Sequence, residues 1–213
     1  MIILQVSINT FFSVPACLSC GGVPSLREFV ARHCCLTKID GPGPGSVGAR
    51  QLKHLEIDEN EMTEIPNAVA ERLVQLKVFS ASGNKLTKLP EAFSKISTLS
   101  ELRLQKNSLS ELPATKSAVL IDASFNKLSS LPREWFDESC QKPAVTTLLL
   151  QGNYFTALPE SLFTRLSALE AFDVSENSLT SFPPIRGPKS LQAIFCGGNR
   201  IDSFTIDCRY VPN

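Results

Sequence analysis

The sequence predicts an α/β solenoid, with a curved parallel β-sheet on its concave side and short helices, 3-10 turns and loops on its convex side. Three observations predict it. An asparagine recurs at Asn60, Asn84, Asn107, Asn126, Asn153, Asn177 and Asn199, at intervals of 24, 23, 19, 27, 24 and 22 residues. Around each one, apolar residues or alanine stand eight, five and three positions before and two and five positions after, as in Leu99, Leu102, Leu104, Asn107, Leu109 and Leu112. The variation in interval falls after that stretch, behind prolines such as Pro66, Pro90, Pro113, Pro132 and Pro159, and leaves the strand and turn constant.

Within each unit the second and third apolar residues alternate with polar ones, so a short strand buries one face and presents the other. The asparagine follows where the chain turns away. Its amide both donates and accepts, so stacked copies can form a buried ladder that satisfies the turn and the neighbouring unit. One unit cannot bury its own apolar side, and only stacking closes the core.

On the convex side, Phe93 with Ile96 and Leu162 with Leu166 stand at helical spacing, which predicts short helices over 90–99 and 159–169. The 19-residue unit, through Pro113 to Ser117, is too short for one and reads as extended or 3-10. The 27-residue unit carries Trp135, Phe136 and Cys140; its extra residues should bulge outward, with Trp135 as packing. Lys95 and Arg165 read as exposed convex residues.

A weaker unit lies upstream, with Leu26, Phe29, Ala31, Leu36 and Ile39 around Cys34 in the ladder position. The organisation is then a leader over 1–24 with no assigned element, and a repeat domain of about eight units over 25–213. The chain stops at Asn213, just after the template positions Ile201 and Phe204, so the last unit reads as uncapped, as in a fragment or truncated product.

Chemistry-bearing motifs are absent. The chain has His33 and His54 as its histidines and no zincin, nucleophile-elbow, Walker or phosphatase pattern. Cys17 and Cys20 with His33, Cys34 and Cys35 could be drawn as a zinc set, but a Cys34 buried in the ladder is unavailable as a ligand, and no metal or cofactor is expected. Gly43-Pro44-Gly45-Ser46-Val47-Gly48 fits Gly-x-Gly-x-x-Gly without the strand and helix that motif needs, and reads as a connecting loop.

With 21 basic and 21 acidic residues the chain has no global field that would attract nucleic acid or an anionic membrane. A partner must be chosen by local patches. The alternation assigns a graded concave face: Glu56 and Asp58 at the acidic end, Lys77, Lys85, Arg103 and Lys106 in the middle, then Leu120, Phe125, Leu149, Tyr154 and Phe195. Gln105, Asp122, Gln151 and Asp173 complete it. Aromatic and aliphatic side chains interleaved with arginine suit a protein-binding surface.

The array resembles the typical intracellular leucine-rich repeats of about 23 residues ending in Leu-Pro, as in Ras-group and scaffold-type proteins, over about residues 25 to 206. The resemblance implies a leucine-rich-repeat solenoid, or horseshoe, acting as a non-catalytic scaffold. It implies a small GTPase or a phosphatase or kinase complex as partner, or else the recognition part of a larger ubiquitin ligase or kinase. An odd count of seven scattered cysteines and the lack of an Asn-x-Ser/Thr sequon place the chain in the cytoplasm. The alternative is a secreted receptor-like chain in which residues 1–16, ending Val14-Pro15-Ala16, act as a signal peptide, although they lack a basic start. No stretch is long enough to span a bilayer.

Overall fold

The structure is a computed structural model that describes residues 2–7, 13–14, 26–39 and 48–202. The expected solenoid is observed. Strands β1 (Ile2–Ser7), β3 (Leu26–Arg32), β5 (His54–Glu56), β6 (Val78–Ser80), β7 (Glu101–Arg103), β8 (Leu120–Asp122), β9 (Thr147–Leu149), β10 (Ala171–Asp173) and β11 (Ala193–Phe195) form one nine-stranded parallel sheet in that order. A second, two-stranded parallel sheet pairs β2 (Ser13–Val14) with β4 (Lys38–Ile39).

Each three-residue strand starts six positions before its ladder asparagine, so the pairing is strictly in register. Phe29, Leu55, Phe79, Leu102, Ile121, Leu148, Phe172 and Ile194 are successive partners on the inner face. The first seven are buried. Because the side-chain period in a strand is two, this register sends the residues before and after them to the concave surface.

The asparagines form the ladder that their chemistry predicts. Asn84 Oδ1 accepts from the Met62 amide at 2.9 Å, while its Nδ2 donates to Ile57 O at 2.9 Å and Ala81 O at 3.2 Å. The same set recurs at Asn60, Asn107, Asn126, Asn153, Asn177 and Asn199. Cys34 occupies the first rung and is buried, its thiol 3.1 Å from Arg32 O.

Every residue just before a rung is left-handed. His33, Glu59, Lys106, Phe125 and Glu176 have φ between 51° and 56°, and Gly83, Gly152 and Gly198 between 65° and 69°. The turn needs this geometry to aim the asparagine inward, and at the five non-glycine positions the backbone pays a strain of about 1–2 kcal/mol each.

The convex side is built from short pieces: α1 (Asn67–Ala70), α2 (Leu162–Arg165) and 3-10 turns at Gly48–Gln51, Glu91–Lys95 and Arg133–Trp135. The expected helix over 90–99 is a 3-10 turn, whereas the one over 159–169 is α-helical. The short unit has no helix through Pro113–Thr115, as its length requires, and the Thr115 amide donates to Pro113 O at 2.7 Å in a tight turn. Trp135 is 1% exposed, and its indole N–H donates to Thr115 O at 3.1 Å.

Two sequence expectations are corrected here. Arg165 is buried, not exposed: its Nε donates to Trp135 O at 2.8 Å and its Nη2 to Asp137 O at 2.8 Å and Cys140 O at 3.0 Å. It fastens the long unit's outer loop; three residues after buried Leu162 it shares that residue's helix face, and its charge rather than its spacing had suggested exposure. The stretch over 1–24, left without an element by the sequence, contributes β1, which pairs with β3 from Ile2–Leu26 to Ser7–Arg32. Cys17 and Cys20 of the zinc alternative, and the loop over 41–47, lie outside the described residues.

Candidate functional site

The concave sheet presents its outward residues in columns. Four positions before each rung stand Glu56, Ser80, Arg103, Asp122, Leu149, Asp173 and Phe195, each the register partner of the next. Two positions before each rung stand Asp58, Ser82, Gln105, Ser124, Gln151 and Ser175. All of the face residues expected from the sequence fall on this surface or its rims. Lys77 stands just before β6, Phe125 in the left-handed rim position and Tyr154 just after a rung.

The expected acidic end is not a pair of free charges. Glu56 is only 6% exposed, because Arg32 Nη2 and His54 Nε2 both bond its carboxylate, the latter at 2.6 Å. Burial works to raise the Glu56 pKa, but the hydrogen bonds and charges of His54 and Arg32 outweigh it and hold the group below its ordinary value. Asp58 Oδ1 accepts from Ser80 Oγ at 2.6 Å and from the Ser82 amide at 2.8 Å. The sequence reading missed Arg32, which also stands 3.8 Å from Asp58, because the divergent first unit was not carried onto the face. Its place two before Cys34, in the same column as Asp58, was the available signal.

In the middle, Arg103 is paired with Glu101 at 2.6 Å, and Lys85 with Glu61 across the rim. Beyond them the face turns apolar. Phe125, Tyr154 and Phe195 are 43%, 60% and 57% exposed. Phe125 is a bulky residue at φ 55°, and its ring lies against Gly152, where an added Cβ would come within 2.5 Å of Cδ1. Gly152 thus serves both its own left-handed turn at φ 65° and the seat of the ring. Gly152→Ala should cost about 1–2 kcal/mol and displace the ring. In a Phe125→Ala background the cost should fall, and a double-mutant cycle on thermal unfolding that shows simple additivity would disprove the contact.

Among the described residues, no group of three or more His, Cys, Asp or Glu side chains is placed to hold a metal ion. No helix among them is long and apolar enough to cross a membrane.

A nine-stranded parallel solenoid with an asparagine ladder and an open, graded concave face defines a class of repeat protein in which each stacked unit adds one strand to an exposed sheet. The leucine rich repeat family model matches residues 50–109 and 143–201, and the chain belongs to that family. Lumican of Bos taurus is 33% identical over 163 residues, which are 74% of this chain and 45% of lumican. Podocan-like protein 1 of Homo sapiens is 28% identical over 159 residues, 71% of this chain and 30% of its own length. The chain thus spans less than half the length of these relatives. A solved structure of Toll in its complex with Spatzle from Drosophila superposes with a TM-score of 0.76 at 22% identity, over 92% of this chain and 26% of that one, a likeness of fold.

These relatives overturn the cytoplasmic placement. Lumican and podocan-like protein 1 are secreted proteins of the extracellular matrix. With Cys34 buried in a ladder rung, the odd total of seven cysteines leaves six others and is no argument against secretion.

Proposed function

We propose that this chain is a non-catalytic, extracellular protein-binding module whose partner docks on the concave face, anchored on the apolar stretch from Phe125 to Phe195. The observation that carries this reading is the coincidence of exposed Phe125, Tyr154 and Phe195 on one face, with Leu149 and Gln151 between them. Exposed aromatic side chains on a rigid sheet lose little conformational freedom on binding and are the usual anchors of interfaces. Phe125 is held in a strained turn that a smaller or more polar residue would occupy as readily, which suits a side chain kept for contact rather than for folding. The neighbouring fold seen in Toll was solved bound to the protein Spatzle, which supports a recognition role. The GTPase and phosphatase or kinase partners implied by the intracellular resemblance are set aside with the cytoplasmic placement.

Wild-type protein and a Phe125→Ala/Tyr154→Ala variant can be compared for capture of protein from the culture medium and matrix of the producing cells. The affinity of whatever is captured can then be measured by calorimetry. Each truncation should weaken binding by more than about 1 kcal/mol with little change in melting temperature. A partner that binds the double variant as tightly as wild type, and is lost instead on convex Lys95→Ala, would put the functional face elsewhere.

A further inference from the structure

At its N-terminal end the concave face has a dip with a simple cause. The row that leads to Asn84 carries only short side chains outward, Val78, Ser80, Ser82 and Gly83, while the rows on either side carry long ones. Arg32, Glu56 and Asp58 form one wall, and Arg103 and Gln105 the other, enclosing a pocket of about 310 Å³.

The polar atoms of the dip are not all satisfied. Ser82 is 7% exposed, yet its Oγ has no hydrogen-bond partner, and neither has Gln105 Oε1. Both lie in the lining of the dip. A buried hydroxyl without a protein partner costs free energy, so a group that bonds to it there is favoured. The charges indicate which group. Arg32 is committed to Glu56 and Asp58, and Arg103 to Glu101. Glu59 has no cationic partner among the described residues, and its carboxylate lies against Gly83, 2.5 Å from where a Cβ would stand. The lining thus holds three carboxylates, Glu56, Asp58 and Glu59, beside two guanidiniums that are already paired, and leaves Gln105 Oε1 as an unpaired acceptor and Ser82 Oγ as an unpaired hydroxyl. An anion would find both guanidiniums taken and the Glu59 carboxylate and Gln105 Oε1 in its path, with only the Ser82 hydroxyl left to donate among these side chains.

We infer that this dip receives one lysine or arginine side chain of the partner protein, its cationic head placed between Glu59, Ser82 Oγ and Gln105 Oε1. The inference rests on the concave-face reading above and adds a second, polar anchor to the apolar one. A cation seated there completes the hydrogen bonding of Ser82 and Gln105 and neutralises Glu59. Charge-assisted bonds of this kind are about twice as strong as neutral ones. The spacing also gives selectivity, because a partner must present its basic residue two to five strands from its apolar contacts at Phe125, Tyr154 and Phe195, roughly 10 to 24 Å at about 4.8 Å per strand.

The test needs no partner. The ¹⁵N-labelled protein is titrated with trilysine, with its Nε-acetylated counterpart and with sodium sulfate, and the backbone amides are followed by NMR. Trilysine should give saturable shifts centred on Ser82, Gly83 and Gln105, and the acetylated peptide none. Ser82→Ala and Glu59→Gly should each raise the trilysine Kd at least threefold. Both substitutions keep the fold, since the first removes an unpaired hydroxyl and the second relieves a left-handed residue. Three outcomes would overturn the inference: no saturable trilysine response up to about 100 mM, a response that neither variant alters, or sulfate in place of trilysine moving the same amides. If trilysine fails while partner capture still depends on Phe125 and Tyr154, this inference alone falls. If trilysine binds as expected and the partner ignores the concave face, the face reading falls instead.

Discussion

Asn153→Ala is expected to destabilise the protein by about 2–4 kcal/mol, enough to lower the melting temperature on the order of 10 °C. Asn153 is 4% exposed; its Oδ1 accepts from the Leu128 amide at 2.9 Å, and its Nδ2 donates to Leu150 O at 2.9 Å and Ala123 O at 3.0 Å. Alanine leaves the Leu128 amide buried without an acceptor and weakens two carbonyl pairings, in a stack where each unit is stabilised only by its neighbours. Asn107 makes the same bonds but is half-buried, so water can replace part of what it supplies, and Asn107→Ala should cost less. Thermal unfolding of both, beside exposed Ser129→Ala, checks the order. An Asn153 variant that melts with the Ser129 control would remove the ladder from the account of stability.

Arg165→Ala is expected to cost a comparable amount, about 2–4 kcal/mol, because hydrogen bonds to charged groups contribute about 1.5–3 kcal/mol each and three carbonyls depend on this one guanidinium. Lysine should rescue little, since a single ammonium cannot reproduce the planar fork that reaches Trp135 on one side and Cys140 on the other. The chain has one tryptophan, Trp135, so its emission reports directly on the loop that Arg165 holds. Unfolding followed by fluorescence should show a red-shifted native baseline in Arg165→Ala. Lys95→Ala, which breaks only an exposed pair with Glu91 at 3.3 Å, should change neither baseline nor midpoint. Equal behaviour of the two variants would return Arg165 to the surface role that its sequence context suggested.

The correction at Arg165 and the one at Glu56 have a common origin. In both cases the partner lies in a neighbouring unit: Trp135 is 30 residues from Arg165, and Arg32 is 24 residues from Glu56. The repeat template states which residues leave the sheet and which enter it, but it is blind to the particular side chain one row away.

The sequence by itself determined the solenoid, the in-register sheet and the ladder. A residue that must be apolar at five fixed offsets from an asparagine can meet that demand in only one way, and the two-residue period of a strand then assigns every neighbour to core or concave surface. It also placed Trp135 in the packing of the long unit and left the short unit without a helix. Only the tertiary structure decided which concave residues are free to meet a partner. Adjacent strands lie about 4.8 Å apart, so each long side chain reaches the next row and is satisfied or left open by what stands there. Arg32 covers Glu56, Glu101 holds Arg103, Gly152 seats Phe125, and the short row of Ser80 and Ser82 leaves a dip between long neighbours. Those are properties of stacked rows, and stacking is set by the folded chain.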